Sequence, residues 1–182
     1  MKNEMTSGLE MRYEIRRACT DIKSEAKFLA AIRAVADTTG SAVICIDADR
    51  VAGEDHVRAA LDHAIRSYYV ERTPVANSFE METLLWTGAT RQCTEATRFG
   101  IRPGRCRLFV VICPPSPAAE RALAEIMTFD DGDSAAWEAL GPKKRAHLRA
   151  LFGITAEEEA TVGPERFAEL VIERVALLEV FR

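Results

Sequence analysis

Asn77-Ser-Phe-Glu-Met-Glu-Thr-Leu-Leu-Trp-Thr-Gly-Ala-Thr-Arg-Gln-Cys-Thr-Glu-Ala-Thr-Arg-Phe-Gly-Ile-Arg-Pro-Gly-Arg105, closed by the apolar run Leu108-Phe-Val-Val-Ile112, is the stretch that decides the fold. It reads as two short helices, a tight turn and one buried strand. Asn77 is a good N-cap, and Glu80 stands three residues on, where its carboxylate can reach back to the free amide. Met81, Leu84, Leu85 and Gly88 recur at helical spacing and give the first helix an apolar face. Thr90 can cap the second helix, with Cys93, Ala96 and Phe99 inward, and Gly100-Ile101 has the form of a helix stop. Arg102-Pro103-Gly104-Arg105 is a turn. The Ala96, Gly100, Ile101 spacing also occurs at the bend of a DNA-binding helix-turn-helix. A recognition helix lined with polar residues would have to follow that bend, and a Pro-Gly turn and a β-branched strand follow instead.

Outward from this stretch, apolar runs alternate with amphipathic ones. Met11, Tyr13 and Ile15 alternate with Arg12, Glu14 and Arg16, which predicts a strand over 10–20 with one solvated face. Met1–Leu9 reads as a disordered leader. Phe28, Leu29, Ile32 and Val35 stripe a helix over 24–38 that Gly40 ends, and Ala42–Ile46 reads as a central strand closed by Asp47-Ala48-Asp49. Val57, Leu61, Ala64, Ile65 and Tyr68 line a long helix over 54–71, with Asp62 and Arg66 at pairing distance. Pro114-Pro115-Ser116-Pro117 stops the strand and starts a helix over 118–128. An acidic turn (Asp130-Asp131-Gly132-Asp133), a basic helix over 142–152, a capped segment from Thr155 and a last helix after Gly163-Pro164 complete the chain. Few strands, many helices and a helical C-terminal third predict an α+β fold. It is expected to be a two-layer sandwich, with a small, mostly antiparallel or mixed sheet covered by helices, in a single domain over 1–182.

Composition narrows the function. A net charge of -4 gives no global case for nucleic acid, so such a site has to be a local patch. No apolar run reaches the ~18 residues of a membrane span. Cys19, Cys45, Cys93, Cys106 and Cys113 are scattered without C-x-x-C spacing, which fits reduced thiols and a cytoplasmic location. No phosphate-cradling glycine loop, nucleophile elbow or His pair at helical spacing is present. Asp47 and Asp49 follow a strand, and His56 opens a helix; each is explained either as turn, capping or packed chemistry or as part of a small catalytic site. Arg91, Arg98, Arg102, Arg105 and Arg107 crowd a segment with one acid, Glu95. That cluster is either a solvated surface or a contact for an anion or RNA.

Ile46-Asp-Ala-Asp-Arg-Val-Ala-Gly-Glu-Asp-His56, then Glu82-Thr-Leu-Leu-Trp86, then Arg91-Gln92, Glu95-Ala96 and Phe99-Gly100-Ile101, resemble the kinase-binding small subunit of the KEOPS complex, the TPRKB family. Leu151-Phe152-Gly-Ile-Thr155 and the closing helix are also similar, so the likeness covers about 42–181. Cys93 stands where an aliphatic residue is usual in the family, and the arginine-rich turn is richer. The resemblance implies an archaeal-type, non-catalytic accessory subunit without cofactor or small-molecule substrate. It would regulate the complex's atypical kinase-ATPase during threonylcarbamoylation of tRNA adenosine and hold the single-stranded 3′ CCA end of tRNA. On that reading Arg72, Arg91, Arg98, Arg102 and Arg105 supply cations to RNA, with Trp86 either a stacking platform or core. Met81, Leu177 and Val180 would contact the kinase, the last two straying from the Phe167, Leu170, Val171, Val175, Leu178 stripe. The alternatives are a stand-alone RNA- or nucleic-acid-binding regulatory domain, or a small enzyme using Asp47, Asp49 and His56.

Overall fold

A computed structural model describes residues 11–180; the expected Met1–Leu9 leader and Glu10 lie outside them. The chain runs β1 (Glu14–Ile22), α1 (Glu25–Thr39), β2 (Ala42–Asp47), a short 3-10 turn (Ala48–Arg50) and α2 (Glu54–Ile65), whose end widens into a π-helical turn over Arg66–Val70. Then come α3 (Phe79–Thr87), α4 (Cys93–Ala96) with a 3-10 extension over Thr97–Phe99, and β3 (Gly104–Cys113). The remainder is α5 (Pro117–Ala124), β4 (Thr128–Phe129), α6 (Ala135–Glu138), α7 (Pro142–Phe152), α8 (Ala156–Val162) and α9 (Phe167–Val180). The fold is α+β, with a helical C-terminal third as expected.

The strands form one antiparallel sheet in the order β2-β3-β1-β4. β3 is central. It pairs with β1 from Glu14↔Ile112 to Ile22↔Gly104 and with β2 from Ala42↔Cys113 to Asp47↔Leu108. β2, expected to be central, is an edge strand. Helices cover both faces of the sheet, which explains why β3 is apolar at every position from Leu108 to Ile112. Leu108, Val110 and Ile112 meet Phe28, Ile32 and Val35 of α1 and Ala119 and Leu123 of α5. Phe109 and Val111 meet the opposite layer, Val57 and Leu61 of α2, Leu148 of α7 and Phe167 and Val171 of α9. All five are fully buried, and each contributes roughly 1.5–3 kcal/mol relative to exposure.

Local signals placed several ends. Ser24 Oγ accepts the Lys27 amide at the start of α1, and Gly40 closes it at φ 70. Thr155 and Glu158 form a reciprocal capping box on α8. Other expectations shift. The cap of α3 is Ser78, not Asn77; its Oγ accepts the Met81 amide, and this brings Phe79, Glu82, Leu85 and Trp86 inward. Gly100 has φ -81 and is not left-handed, because a 3-10 turn ends the helix before it. Cys93 and Leu29 are exposed. Arg66 pairs with Glu71 and Glu179, whereas Asp62 accepts from Tyr13, so the expected Asp62–Arg66 pair does not form.

Candidate functional site

β2 delivers Asp47 to the sheet edge with no solvent exposure. Its Oδ2 takes the Arg102 Nε at 2.7 Å and lies 3.6 Å from Arg50 Nε; its Oδ1 accepts the Asp49 amide at 3.0 Å. Asp49 receives Arg102 Nη2 at 2.9 Å and Arg107 Nη2 at 3.3 Å. Arg50 Nη1 also donates to the Arg98 carbonyl at 2.6 Å, which ties the end of β2 to the turn before β3. The Asp47 hydrogen bond holds the Arg102 guanidinium above its ordinary pKa. Each carboxylate therefore faces at least two cations, an arrangement suited to fixing a turn. Beside it, Cys19, Thr20, Asp21, Asp49, Arg105, Cys106 and Arg107 line an open cleft of about 510 Å³.

His56 lies in the first turn of α2 and is wholly buried. Its Nδ1 accepts the Ala52 amide at 3.1 Å, which leaves Nε2–H to donate to the Thr87 carbonyl at 2.9 Å. The ring also meets Phe152 edge-on at 5.4 Å. Burial pushes its pKa down to about 4, against the opposing hydrogen bond to Thr87. His56 is thus a neutral clamp between the 51–53 loop and the end of α3, and its hydrogen bonds go to backbone and not to Asp47 or Asp49.

Glu82 was not singled out by sequence as more than part of a motif. It is 1 % exposed, and its carboxylate accepts from Ser67 Oγ, from the Val75 and Ala76 amides at 2.9 Å each, and from Trp86 Nε1 at 3.1 Å. It pins the 75–76 loop to the π-helical turn. Trp86 is 2 % exposed and stacked on His63 at 4.6 Å, so it belongs to the core and offers no face to a base.

The arginines divide into two groups. Arg98 and Arg102 sit by the Asp47 turn, with Arg98 paired to Glu95 at 2.6 Å, and Arg105 borders the open cleft. Arg72 follows the π-helical turn, and Arg91 borders a recess formed by Val75, Glu82, Trp86 and Leu178. The 54–70 helical run, about 25 Å long, lies between the Asp47 turn and Arg72 along the chain. Arg72, Arg91 and Arg105 are exposed and have no carboxylate partner among the described residues.

Along α9, Phe167, Leu170, Val171 and Val175 face the core. Leu177 is 37 % exposed and Val180 73 %. Leu177 and Leu178 join Gly88, Ala89, Leu151 and Phe152 around a groove of about 350 Å³ with Arg174 at its rim. Met81 is half-buried against Ala76, Leu85 and Ala96.

The sequence model of the family described as "Kinase binding protein CGI-121" matches residues 19–179. The chain belongs to the CGI-121 family. No curated protein matches it. The match runs from β1 to the penultimate residue of α9, so the Asp47 turn, the Glu82 hub and the α9 groove all lie inside the kinase-binding family's boundaries. Among the described residues no group of His, Cys, Asp and Glu has the arrangement of a metal site, and no helix is long and apolar enough to cross a membrane.

Proposed function

We propose that this CGI-121 protein is a non-catalytic accessory subunit of the KEOPS complex, which binds and regulates the kinase-ATPase subunit and recruits the 3′ CCA end of tRNA. The observation that carries the reading is the family match over residues 19–179 to kinase-binding proteins. The side-chain chemistry supports it. Asp47, Asp49 and His56, the residues an enzyme would use, are committed to arginines and backbone groups. The kinase contact is assigned to the exposed end of α9, Leu177 and Val180, and to the half-buried Met81 of α3. Leu177 and Val180 are large aliphatic groups held in water, the kind of surface that association covers. The RNA contact is assigned to Arg72, Arg91, Arg98, Arg102 and Arg105. Arg72, Arg91 and Arg105 hold the most available guanidinium groups, and Arg102 acts through the turn it fixes. With Trp86 in the core, base stacking falls to arginine planes.

Co-expression with the kinase subunit, followed by pull-down and a gel-shift assay on tRNA with and without its CCA, tests both halves. Co-purification and a CCA-dependent shift are expected. Failure to co-purify removes the accessory-subunit reading, and CCA-independent binding removes the 3′-end reading.

A further inference from the structure

At the Ile22↔Gly104 end of their ladder, β1 and β3 set Cys19 opposite Arg107 and Asp21 opposite Arg105. Side chains alternate along a strand, so these four stand on one face of the sheet, the face that Phe109 and Val111 share. Helices bury Phe109 and Val111, but Cys19, Asp21 and Arg105 are exposed. With Thr20, Cys106, Arg107 and, from the 3-10 turn, Asp49, they line the open cleft of about 510 Å³. That volume falls within the roughly 300–1,000 Å³ of small-ligand sites.

The charges of this cleft are unevenly committed. Asp49 is held by Arg102 at 2.9 Å and Arg107 at 3.3 Å, and Asp21 takes the Lys23 ammonium at 2.5 Å. Arg107 is fixed from three sides: by Asp49, by the Ala136 carbonyl at 3.1 Å and by the Trp137 ring at 5.0 Å. Each of its terminal nitrogens donates once in this way and keeps a second hydrogen. Arg105 is the opposite case. It stands across from Asp21, the place for a cross-strand ion pair, yet Lys23 takes that carboxylate. No acid among the described residues pairs with Arg105. One guanidinium is therefore immobilised and its neighbour uncommitted, with their Cα atoms about 7 Å apart along β3. A carboxylate has oxygens enough for one guanidinium. A phosphate monoester brings three terminal oxygens, enough for both, and a charge of about -1.5 to -2 at neutral pH.

We propose that this cleft binds the phosphate group of a small phosphate monoester, with Arg105 closing on the phosphate and Arg107 as the fixed second donor. The acids that line the cleft do not repel the ligand, because each already has its cation. The rest of the cleft holds the organic part, which covers the Cys19 thiol opposite Arg107. The same phosphate chemistry also arrives as free phosphate. An RNA backbone presents diesters instead, with one charge shared by two oxygens. The inference goes beyond the RNA role given to Arg105 and does not depend on it.

The test measures alkylation of Cys19 by iodoacetamide in the full chain, read peptide by peptide by mass spectrometry. Cys93 is also an exposed thiol and lies outside the cleft, so it is the internal control. Ribose 5-phosphate at about ten times its dissociation constant should slow Cys19 alkylation about tenfold, against chloride at equal ionic strength. Cys93 should react at its unchanged rate. Arg105→Gln, made at an exposed side chain without an ion pair, should need at least about tenfold more ligand for the same protection. Protection by ribose 5-phosphate alone assigns the cleft to monoesters; equal protection by orthophosphate assigns it to phosphate itself. No protection by either, equal slowing of Cys93, undiminished protection in Arg105→Gln, or protection only by the diester cytidylyl-adenosine overturns the proposal. The assay contains neither kinase nor tRNA, so its failure leaves the accessory-subunit reading standing, and a failed pull-down leaves the cleft.

Discussion

Arg102 Nε stands 2.7 Å from Oδ2 of Asp47, a carboxylate without solvent exposure, while the arginine side chain is 37 % exposed. The two partners are therefore unequal. Removing Arg102 leaves a buried carboxylate with only Arg50 at 3.6 Å and the Asp49 amide, whereas Asp49 is half-exposed and can turn to water. Arg102→Ala should cost about 2–4 kcal/mol in urea denaturation, and Asp49→Ala less than about 1 kcal/mol. Equal losses in the two variants would show that burial of Asp47 does not set the cost.

His56 makes stability depend on pH. Its pKa is about 4 in the folded protein and near 6.5 in the unfolded chain. The unfolded state thus binds the extra proton first, so the contribution is fully present above pH 6.5 and lost as the pH falls toward 4. Its size is roughly 3 kcal/mol over that window. Unfolding free energies at pH 7, 5.5 and 4.5 should fall accordingly, and His56→Gln should flatten the slope. An unchanged slope in the variant would assign the pH dependence to other groups.

Gly88 is needed for space and not for backbone freedom. Its φ is -86, which any residue adopts, but a Cβ there would stand 2.7 Å from Phe99 Cε2 and 2.9 Å from Cδ2. Phe99 is 3 % exposed and has nowhere to retreat. Gly88→Ala should destabilise by about 1–3 kcal/mol, and Gly88→Ala with Phe99→Leu should recover part of the loss. A neutral single variant would mean that the α3–α4 corner yields freely.

Leu177→Glu separates surface from core on α9. With Leu177 exposed, the substitution should leave thermal stability nearly unchanged, within about 0.5 kcal/mol, and weaken the kinase complex at least tenfold. Val175, fully buried two residues earlier, is the contrast: Val175→Glu should not fold. Wild-type affinity in Leu177→Glu would move the kinase contact elsewhere.

Arg91→Glu with Arg98→Glu reverses one cation from each arginine group. Affinity for intact tRNA should fall. The salt slope should drop by about one unit or less for each phosphate that the variant no longer neutralises. Trimming the CCA from tRNA should remove the difference from wild type. Wild-type binding by the double variant would leave both groups as solvated surface.

What the sequence disclosed was local. Gly153 after a basic amphipathic run set the end of α7, and Thr155 with Glu158 set the start of α8, because cap and helix lie within four residues of each other. Asp47 and Arg102 are 55 residues apart, and no spacing rule connects them. β4 is two residues long and exists through Ala18↔Phe129 and Cys19↔Thr128 of β1, so its own residues hold no signal. Glu82 lies off the Met81, Leu84, Leu85, Gly88 face that the spacing suggests, and the groups that stabilise it come from Ser67 and the 75–76 loop, neither of which advertises a buried acid. The arginine cluster was visible as composition; that Arg105 borders the open cleft while Arg91 borders the recess beside Val75 and Leu178 depends on the three-dimensional path of the chain.

The register of β1 against β3 also has a consequence for how the protein is made. Glu14 pairs with Ile112 and Ile22 with Gly104, so the first strand waits for a partner translated roughly 80 to 100 residues later. At the usual pace of synthesis this is on the order of 5–20 s during which β1 is outside the ribosome without its ladder. Arg16, Arg17, Asp21 and Lys23 punctuate that segment with charge, and such residues discourage two nascent chains from zipping together. Replacing the exposed pair, Asp21 and Lys23, with neutral residues should leave the core unchanged and still lower the yield of protein that reaches the finished fold.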